Sequence, residues 1–241
     1  MTLRKLALII GGNGVMGKAM IAELHKNNYI VVATTRQEKE TDADYTLFTP
    51  DLSYKSCNDL YVGIKKISNR LNQNVDTVVE MAGFGWPDSA MSQKKKNEMW
   101  HINANVPVFW VNKLPSAHHV LFSSCAVYGT TGTEDLSSYS QSKREAERQM
   151  KEKIERQKDL NLFFLLPRGK LTIVRPTVIA TDFARRANIE INTKGYPSPE
   201  EVAKLTVYQG IIKEKELILP GYQAKLIHIL DFIHPKIAQK F

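Results

Sequence analysis

The sequence predicts a single doubly wound α/β domain, with a parallel sheet and helices on both faces. Short apolar, β-branched runs alternate with longer helical patterns along the chain. The first run passes through a cluster of glycines into an amphipathic segment. No internal repeat, low-complexity linker or shift in composition divides residues 1–241, so one domain is expected over the whole chain.

Taken in order, Leu6 to Ile10 reads as the first strand, and Lys18 to Lys26 as the body of the first helix, which begins near Gly14. Ile30 to Thr34 is the second strand, followed by a helix starting near Ser56. Val75 to Met81 is a strand, and a helix starts near Ser89. His119 to Ser123, a helix from near Ser138, then Leu171 to Val174 continue the alternation. A helix from near Ser198 and a last strand at Glu216 to Leu219 close it; several of these helices have a serine at a suitable N-cap position.

With 241 residues and 43% hydrophobic composition, the chain can bury a full core without staples. Its two cysteines, Cys57 and Cys125, exclude a disulfide scaffold and a CxxC metal site, and point to a reducing, cytoplasmic setting. The apolar run Leu6 to Ile10 is too short for a secretory signal, and no run approaches a membrane span.

Lys and Arg outnumber Asp and Glu by 33 to 25, giving a net charge of +8. The charges are scattered, however. Lys94-Lys95-Lys96 is one short cluster, and Lys143 to Lys158 mixes basic residues with Glu at helical spacing, as a solvated helix face does. No specific nucleic-acid partner is expected. His118-His119 read as strand-edge residues, and no histidine has metal-ligand spacing, so no metal is expected.

The run Gly11-Gly12-Asn13-Gly14-Val15-Met16-Gly17 stands between a strand and a helix. Glycines there permit a tight turn and let backbone N–H groups approach a pyrophosphate at a helix N-terminus, the arrangement of a dinucleotide site. At the end of the second strand, where an acidic residue would select the ribose 2′-hydroxyl of NAD, the chain has Thr34-Thr35-Arg36. A guanidinium suits the extra phosphate, so NADP(H) is the expected cofactor, with NAD the alternative.

With Ser123-Ser124, Tyr139 and Lys143 added, the chain resembles the short-chain dehydrogenase/reductase family over nearly its whole length. The resemblance implies a Rossmann domain in which Gly11, Gly14 and Gly17 form the cofactor turn, with Asn13, Val15 and Met16 between them. Asp51-Leu52 is similar to the family's adenine-pocket pair, and Met81-Ala82-Gly83 to the Asn-Ala-Gly that ends its fourth strand. Asn103 resembles its helix Asn, Ser124 its active-site Ser, and Tyr139-Ser140-Gln141-Ser142-Lys143 its Tyr-x-x-x-Lys signature. Pro176, Val178 and Thr181 resemble the segment closing over the nicotinamide carboxamide. The glycine pattern and Ser123 to Gly129 look like the longer, nucleotide-sugar-acting branch. The 15-residue interval from Ser124 to Tyr139 and the Ser198-Pro199-Glu200-Glu201-Val202-Ala203 opening look like the shorter dehydrogenase branch. Met81 replaces the usual Asn, and Leu162 to Pro167 looks like an insertion before the sixth strand. The resemblance also implies self-association through the helices carrying Asn103 and Tyr139.

Tyr139 and Lys143 lie at i and i+4, on one face of a helix. An ammonium beside a phenol favours the phenolate, so Tyr139 is expected to act as general acid or base on a carbonyl or alcohol substrate. Ser124 would donate to the substrate oxygen, and the resemblance gives Asn103 a water that links Lys143 to solvent. An epimerase-like enzyme with tightly held NAD and a non-catalytic dinucleotide-binding protein are the alternatives. Phe84, Trp86 and Met91 are equally suited to lining a substrate pocket and to core packing. Cys125 reads as a small buried residue rather than a reactive thiol. Leu226 to Ile233 has the pattern of a helix packed on the domain, which a helix on a membrane surface would share.

Overall fold

The structure is a computed structural model that describes residues 4–128, 137–164, 169–179, 181 and 194–233, with the backbone alone for 158–164 and 233. Seven strands form one sheet: β1 (Lys5–Ile10), β2 (Tyr29–Thr35), β3 (Tyr45–Phe48), β4 (Val75–Glu80), β5 (His118–Phe122), β6 (Lys170–Val174) and β7 (Leu217–Ile218). Their order is β3-β2-β1-β4-β5-β6-β7, and every neighbouring pair is parallel. Among the described residues the α-helices are α1 (Val15–Lys26), α2 (Tyr54–Leu71), α3 (Gln93–Trp100), α4 (Val106–Lys113), α5 (Ser137–Phe164), α6 (Pro199–Leu205) and α7 (Gly221–Ile233).

Both faces of the sheet are buried, so residues 6–10 of the central strand β1 read as an unbroken apolar run rather than an alternating one. Ala7, Ile9, Ala33, Val79, Val120 and Val174 pack on Met20, Ile21 and Leu24 of α1 and on Val202 and Ala203 of α6. The alternate residues Leu6, Leu8, Ile10, Val32 and Val78 meet Leu60 and Ile64 of α2 and Phe109 and Trp110 of α4. Leu121 extends that second layer onto Ala146, Met150 and Ile154 of α5. The order reverses between β1 and β4, and a crevice at such a switch point, beyond the carboxyl ends of the strands, is where open α/β sheets bind ligands.

The structure moves several expected boundaries. Ser53, not Ser56, caps α2, its hydroxyl accepting from the Ser56 N–H at 3.3 Å. Ser92 caps α3, and Ser89 lies in a separate 3₁₀ turn, Asp88–Ala90. At α6 the expected Ser198 start holds, as a capping box with Glu201. The edge strand β3 has no counterpart in the sequence reading, because its four partly exposed residues carry neither alternation nor an apolar run. Residues 165–167 of the suggested insertion lie outside the described residues, and 162–164 end α5. In α7, Ala224 and Ile227 pack on Cys125 and Tyr128, whereas Phe232 faces outward. Among the described residues no helix is long and apolar enough to cross a membrane.

His118 and His119 are not at a sheet edge. Both are buried in β5, a central strand, where His118 Nε2 lies 2.9 Å from Thr172 Oγ1. Nor is the inner part of Lys143 to Lys158 a solvated face, since Lys143 and Glu147 are buried while Arg148 takes the exposed ion pairs with Glu145 and Glu152.

Candidate active site

At the switch point, Gly11 adopts φ +99°, and a Cβ on it would stand 3.0 Å from the Ala82 backbone nitrogen. The glycine turn and the Met81-Ala82-Gly83 segment therefore pass at backbone contact. A Cβ on Gly17 would lie within 2.6 Å of the Gly11 and Gly12 carbonyl oxygens, so α1 starts against the turn itself. Gly14 is the α1 N-cap, makes no side-chain cap, and has open space where a Cβ would be. The first turn of α1 holds no acidic residue, and Val15 is exposed while Met16 is partly buried. These features fit a pyrophosphate: donors pointing outward, a positive helix end and no side chain in the way.

Asn13 is tied across to the end of β2 by Nδ2–Gln37 Oε1 at 2.7 Å. Thr35 is buried, its hydroxyl accepting from the Gln37 N–H at 3.1 Å, and Arg36 is exposed beside it. Asp51 accepts from the Ser53 N–H at 2.9 Å, and Leu52 is buried with its carbonyl 2.8 Å from His101 Nε2. Pro176 is buried and its carbonyl receives the Cys125 N–H at 2.8 Å. Val178 and Thr181 follow it in partly buried positions, with residues 182–193 outside the described residues.

Across the crevice, Ser124, Tyr139 and Lys143 come together. The Ser124 hydroxyl oxygen accepts the Ala126 N–H at 3.1 Å, and its side chain hydrogen-bonds Tyr139. Lys143 Nζ lies 6.0 Å from the centroid of the Tyr139 ring and donates to the Phe122 carbonyl at 2.9 Å. Burial pushes the Tyr139 phenol up to about 12, against a lowering by Ser124. Burial also pushes the Lys143 ammonium down to about 8, with Glu147 and Glu80 pulling it back. Desolvation is the largest influence on both groups, opposing the phenolate at Tyr139 and the ammonium at Lys143.

Asn103 sits in a π-helical turn, His101–Asn105, between α3 and α4. Its side chain is hydrogen-bonded within the protein. Its amide accepts from the Phe84 N–H at 3.2 Å and donates to the Phe84 carbonyl at 2.9 Å and to Ser142 Oγ at 3.1 Å. It thereby ties the segment after β4 to α5. A Cβ on Gly83 would stand 2.8 Å from Asn103 Oδ1 and 3.3 Å from Lys143 Nζ, and one on Gly85 would stand 2.6 Å from the Tyr139 ring. Phe84 and Trp86 meet edge to face at 5.8 Å, with Lys95 Nζ 3.2 Å above the Trp86 ring, while Met91 is buried.

The sequence reading passed over Asp88, which accepts from the Ser137 hydroxyl at 2.8 Å and the Ser138 N–H at 3.2 Å. It caps α5 from another segment, two residues before Tyr139. Burial opposes its charge, but those bonds and Lys96 together hold its carboxyl below the ordinary Asp value. A depressed carboxyl stabilises the fold above the unfolded-state value and loses that contribution as pH falls through the folded one. Asp88→Ala is expected to cost about 0.5–2 kcal/mol, the range for a lost helix cap. Urea denaturation at pH 7 and at pH 3 measures this, and the deficit must shrink at the lower pH. An equal deficit at both would contradict the capping role.

The model of the NAD dependent epimerase/dehydratase family matches residues 7–168, from the first strand to beyond the Tyr139–Lys143 helix. The chain belongs to that family. No curated protein matches it by sequence. Among solved structures, a short-chain dehydrogenase from Burkholderia cenocepacia J2315 in complex with NADP is similar at TM-score 0.77 and 13% identity, over 98% of this chain and 97% of that one. A short-chain dehydrogenase from Streptomyces avermitilis is similar at TM-score 0.75 and 16% identity, covering 99% and 96%. An alcohol dehydrogenase from the archaeon Thermococcus sibiricus, complexed with 5-hydroxy-NADP, is similar at 0.67 and 19%, covering 91% and 97%. At such identities the likeness is one of fold. This member of the epimerase/dehydratase family thus combines the family's sequence over its first two thirds with a fold shared over nearly its full length by short-chain dehydrogenases.

Proposed function

We propose that the protein is an NADP(H)-dependent oxidoreductase interconverting an alcohol and a carbonyl, with the whole chain forming one cofactor-binding domain. The observation that carries this reading is the Ser124–Tyr139 hydrogen bond, with Lys143 one helical turn further on, at the switch-point crevice opposite the open α1 N-terminus. Bound dinucleotide would supply the hydride donor or acceptor and, when oxidised, a positive charge near the phenol. Gly11 to Gly17 would hold the pyrophosphate, Asp51 and Leu52 would face the adenine, and Met81 to Gly83 with Pro176, Val178 and Thr181 would border the nicotinamide. Ser124 holds the substrate oxygen, and Tyr139 gives or takes its proton at the phenolic oxygen. Lys143 supplies positive charge and a ribose contact, and Asn103 fixes the Phe84 segment over them.

Arg36 and the absence of an acidic side chain at the end of β2 support a 2′-phosphate there. Dissociation constants of NADPH and NADH, compared in wild type and Arg36→Ala, test this. The wild type is expected to prefer NADPH and the variant to lose that preference with NADH affinity retained. Equal wild-type affinities would overturn the choice.

The family match favours a second reading, an epimerase-like enzyme that keeps its NAD through turnover. Acid extraction of freshly purified protein separates the two: stoichiometric NAD supports the epimerase reading, and exchangeable NADP(H) with net oxidation of an alcohol supports the first.

A further inference from the structure

Glu80 is an acidic residue that follows the buried Val78 and Val79 at the end of the central strand β4, and it is 3% exposed. Its Oε1 lies 3.0 Å from His119 Nδ1, and the other ring nitrogen, Nε2, lies 3.0 Å from the Leu114 carbonyl oxygen. A carbonyl only accepts, so Nε2 carries a proton. One further proton must occupy the gap between Nδ1 and Oε1, on the ring or on the carboxyl. Either way the pair is neutral overall, as an ion pair or as two uncharged groups. The second carboxyl oxygen, Oε2, is buried and has no hydrogen-bond partner among the described residues.

That carboxyl lies within electrostatic reach of Lys143. Glu80 pairs in register with Leu121, whose neighbour Phe122 accepts the Lys143 hydrogen bond, and Gly83, three residues after Glu80, closes on Lys143 Nζ. The other acid near Lys143 is already engaged. Glu147 accepts from the Ser123 hydroxyl at 2.6 Å and from Arg175 Nε at 2.9 Å, with a second bond from the same guanidinium. Tyr139, Glu147, Glu80 and His119 are therefore the titratable groups around Lys143, with Arg175 behind Glu147. On the far side of His119 stands His118, pushed down to about 4 by burial, with Lys170, Glu214 and Asp76 beyond it.

We propose that Glu80 and His119 act as a proton-switching counterion for Lys143. When Lys143 Nζ takes a proton from solvent, the proton in the gap moves from Glu80 Oε1 to His119 Nδ1. One O–H bond breaks and one N–H bond forms, no proton leaves the pair, and a carboxylate appears beside the new ammonium. When Lys143 releases its proton, the gap proton returns to Glu80. The buried site thus offers negative charge only while there is positive charge to meet, avoiding the cost of an unpaired buried carboxylate. The two are positioning residues for Lys143, and the proposal rests on the catalytic reading of Lys143 only for its usefulness.

The test is an NMR titration of the cofactor-free protein from pH 6 to 10, with ¹³Cε-lysine and ¹⁵N-histidine labels; Lys143→Met assigns the Lys143 signal. Glu80→Gln is expected to lower the Lys143 midpoint by about 1–3 pH units, the usual effect of removing a close opposite charge. His119→Gln keeps a donor toward Leu114 but takes no proton, and lowers the midpoint likewise. In the wild type, the His119 Nδ1 shift should follow the Lys143 midpoint. An unmoved midpoint in a folded Glu80→Gln protein, or a His119 shift constant through the Lys143 titration, overturns the proposal. The wild-type histidine signal decides the matter even if the variants fail to fold. Failure of the oxidoreductase reading would instead appear as absent NADP(H) turnover with these titrations unchanged.

Discussion

Tyr139→Phe is expected to leave a folded protein that binds NADP(H) as the wild type does and turns over about 10²–10⁴ times more slowly, the usual worth of a general acid or base. The ring stays in place against Gly85, where a Cβ would come within 2.6 Å of it, so packing above the site is kept. Only the phenolic oxygen is lost, and with it the Ser124 hydrogen bond and the proton transfer proposed for it. Because that transfer belongs to the transition state, kcat and kcat/KM should fall together while the cofactor dissociation constant holds. Steady-state kinetics with any accepted substrate, supported by fluorescence titration of NADPH, measures both. A wild-type rate, with the chemical step shown to be limiting, would rule out Tyr139 as the proton-transfer group.

The largest loss of stability is expected from Arg175→Met. Arg175 reaches from the end of β6 to Glu147 through two guanidinium bonds, and its Nη1 donates to the Tyr128 hydroxyl at 2.7 Å. The side chains are 14% and 7% exposed. Removing one partner of a buried pair leaves the other charged and desolvated, which costs about 3–5 kcal/mol. The Ser123 hydroxyl would stay with Glu147 but cannot replace the guanidinium charge. Urea denaturation of both proteins at pH 7 tests this. A change below about 1 kcal/mol, within the range of an exposed pair, would mean that water reaches the carboxyl.

The sequence made much of this legible because local chemistry and global position agree where the cofactor turn lies. Gly11 to Gly17 stand between an apolar strand run and an amphipathic helix pattern, and Tyr139 and Lys143 share a helix face by number alone. The same arithmetic would have reached Glu147, one turn beyond Lys143, but a Glu among many basic residues looks solvated until the helix is packed. Glu80 was a stronger missed signal, since it directly follows Val78 and Val79 in a strand flanked on both sides, where a side chain is shielded from water. Its partner could not be read, because the register that sets β4 beside β5 is tertiary. Asp88 was hidden for the same reason, as it caps a helix that starts 49 residues later at Ser137. The edge strand β3 was lost to its short, half-exposed pattern.

Tyr139, Lys143 and Glu147 occupy one stripe of a single 28-residue helix, α5. Each step between them is four residues, about 6 Å of rise and a little over one turn. Inserting or deleting a single residue between Tyr139 and Glu147 would swing everything beyond it by about 100° and part either the phenol or the carboxylate from the ammonium. Length changes in the surrounding loops do not have that effect. The chain can therefore vary its connecting segments, and with them what it admits, while the helix acts as a ruler whose gradations no drift in loop length can alter.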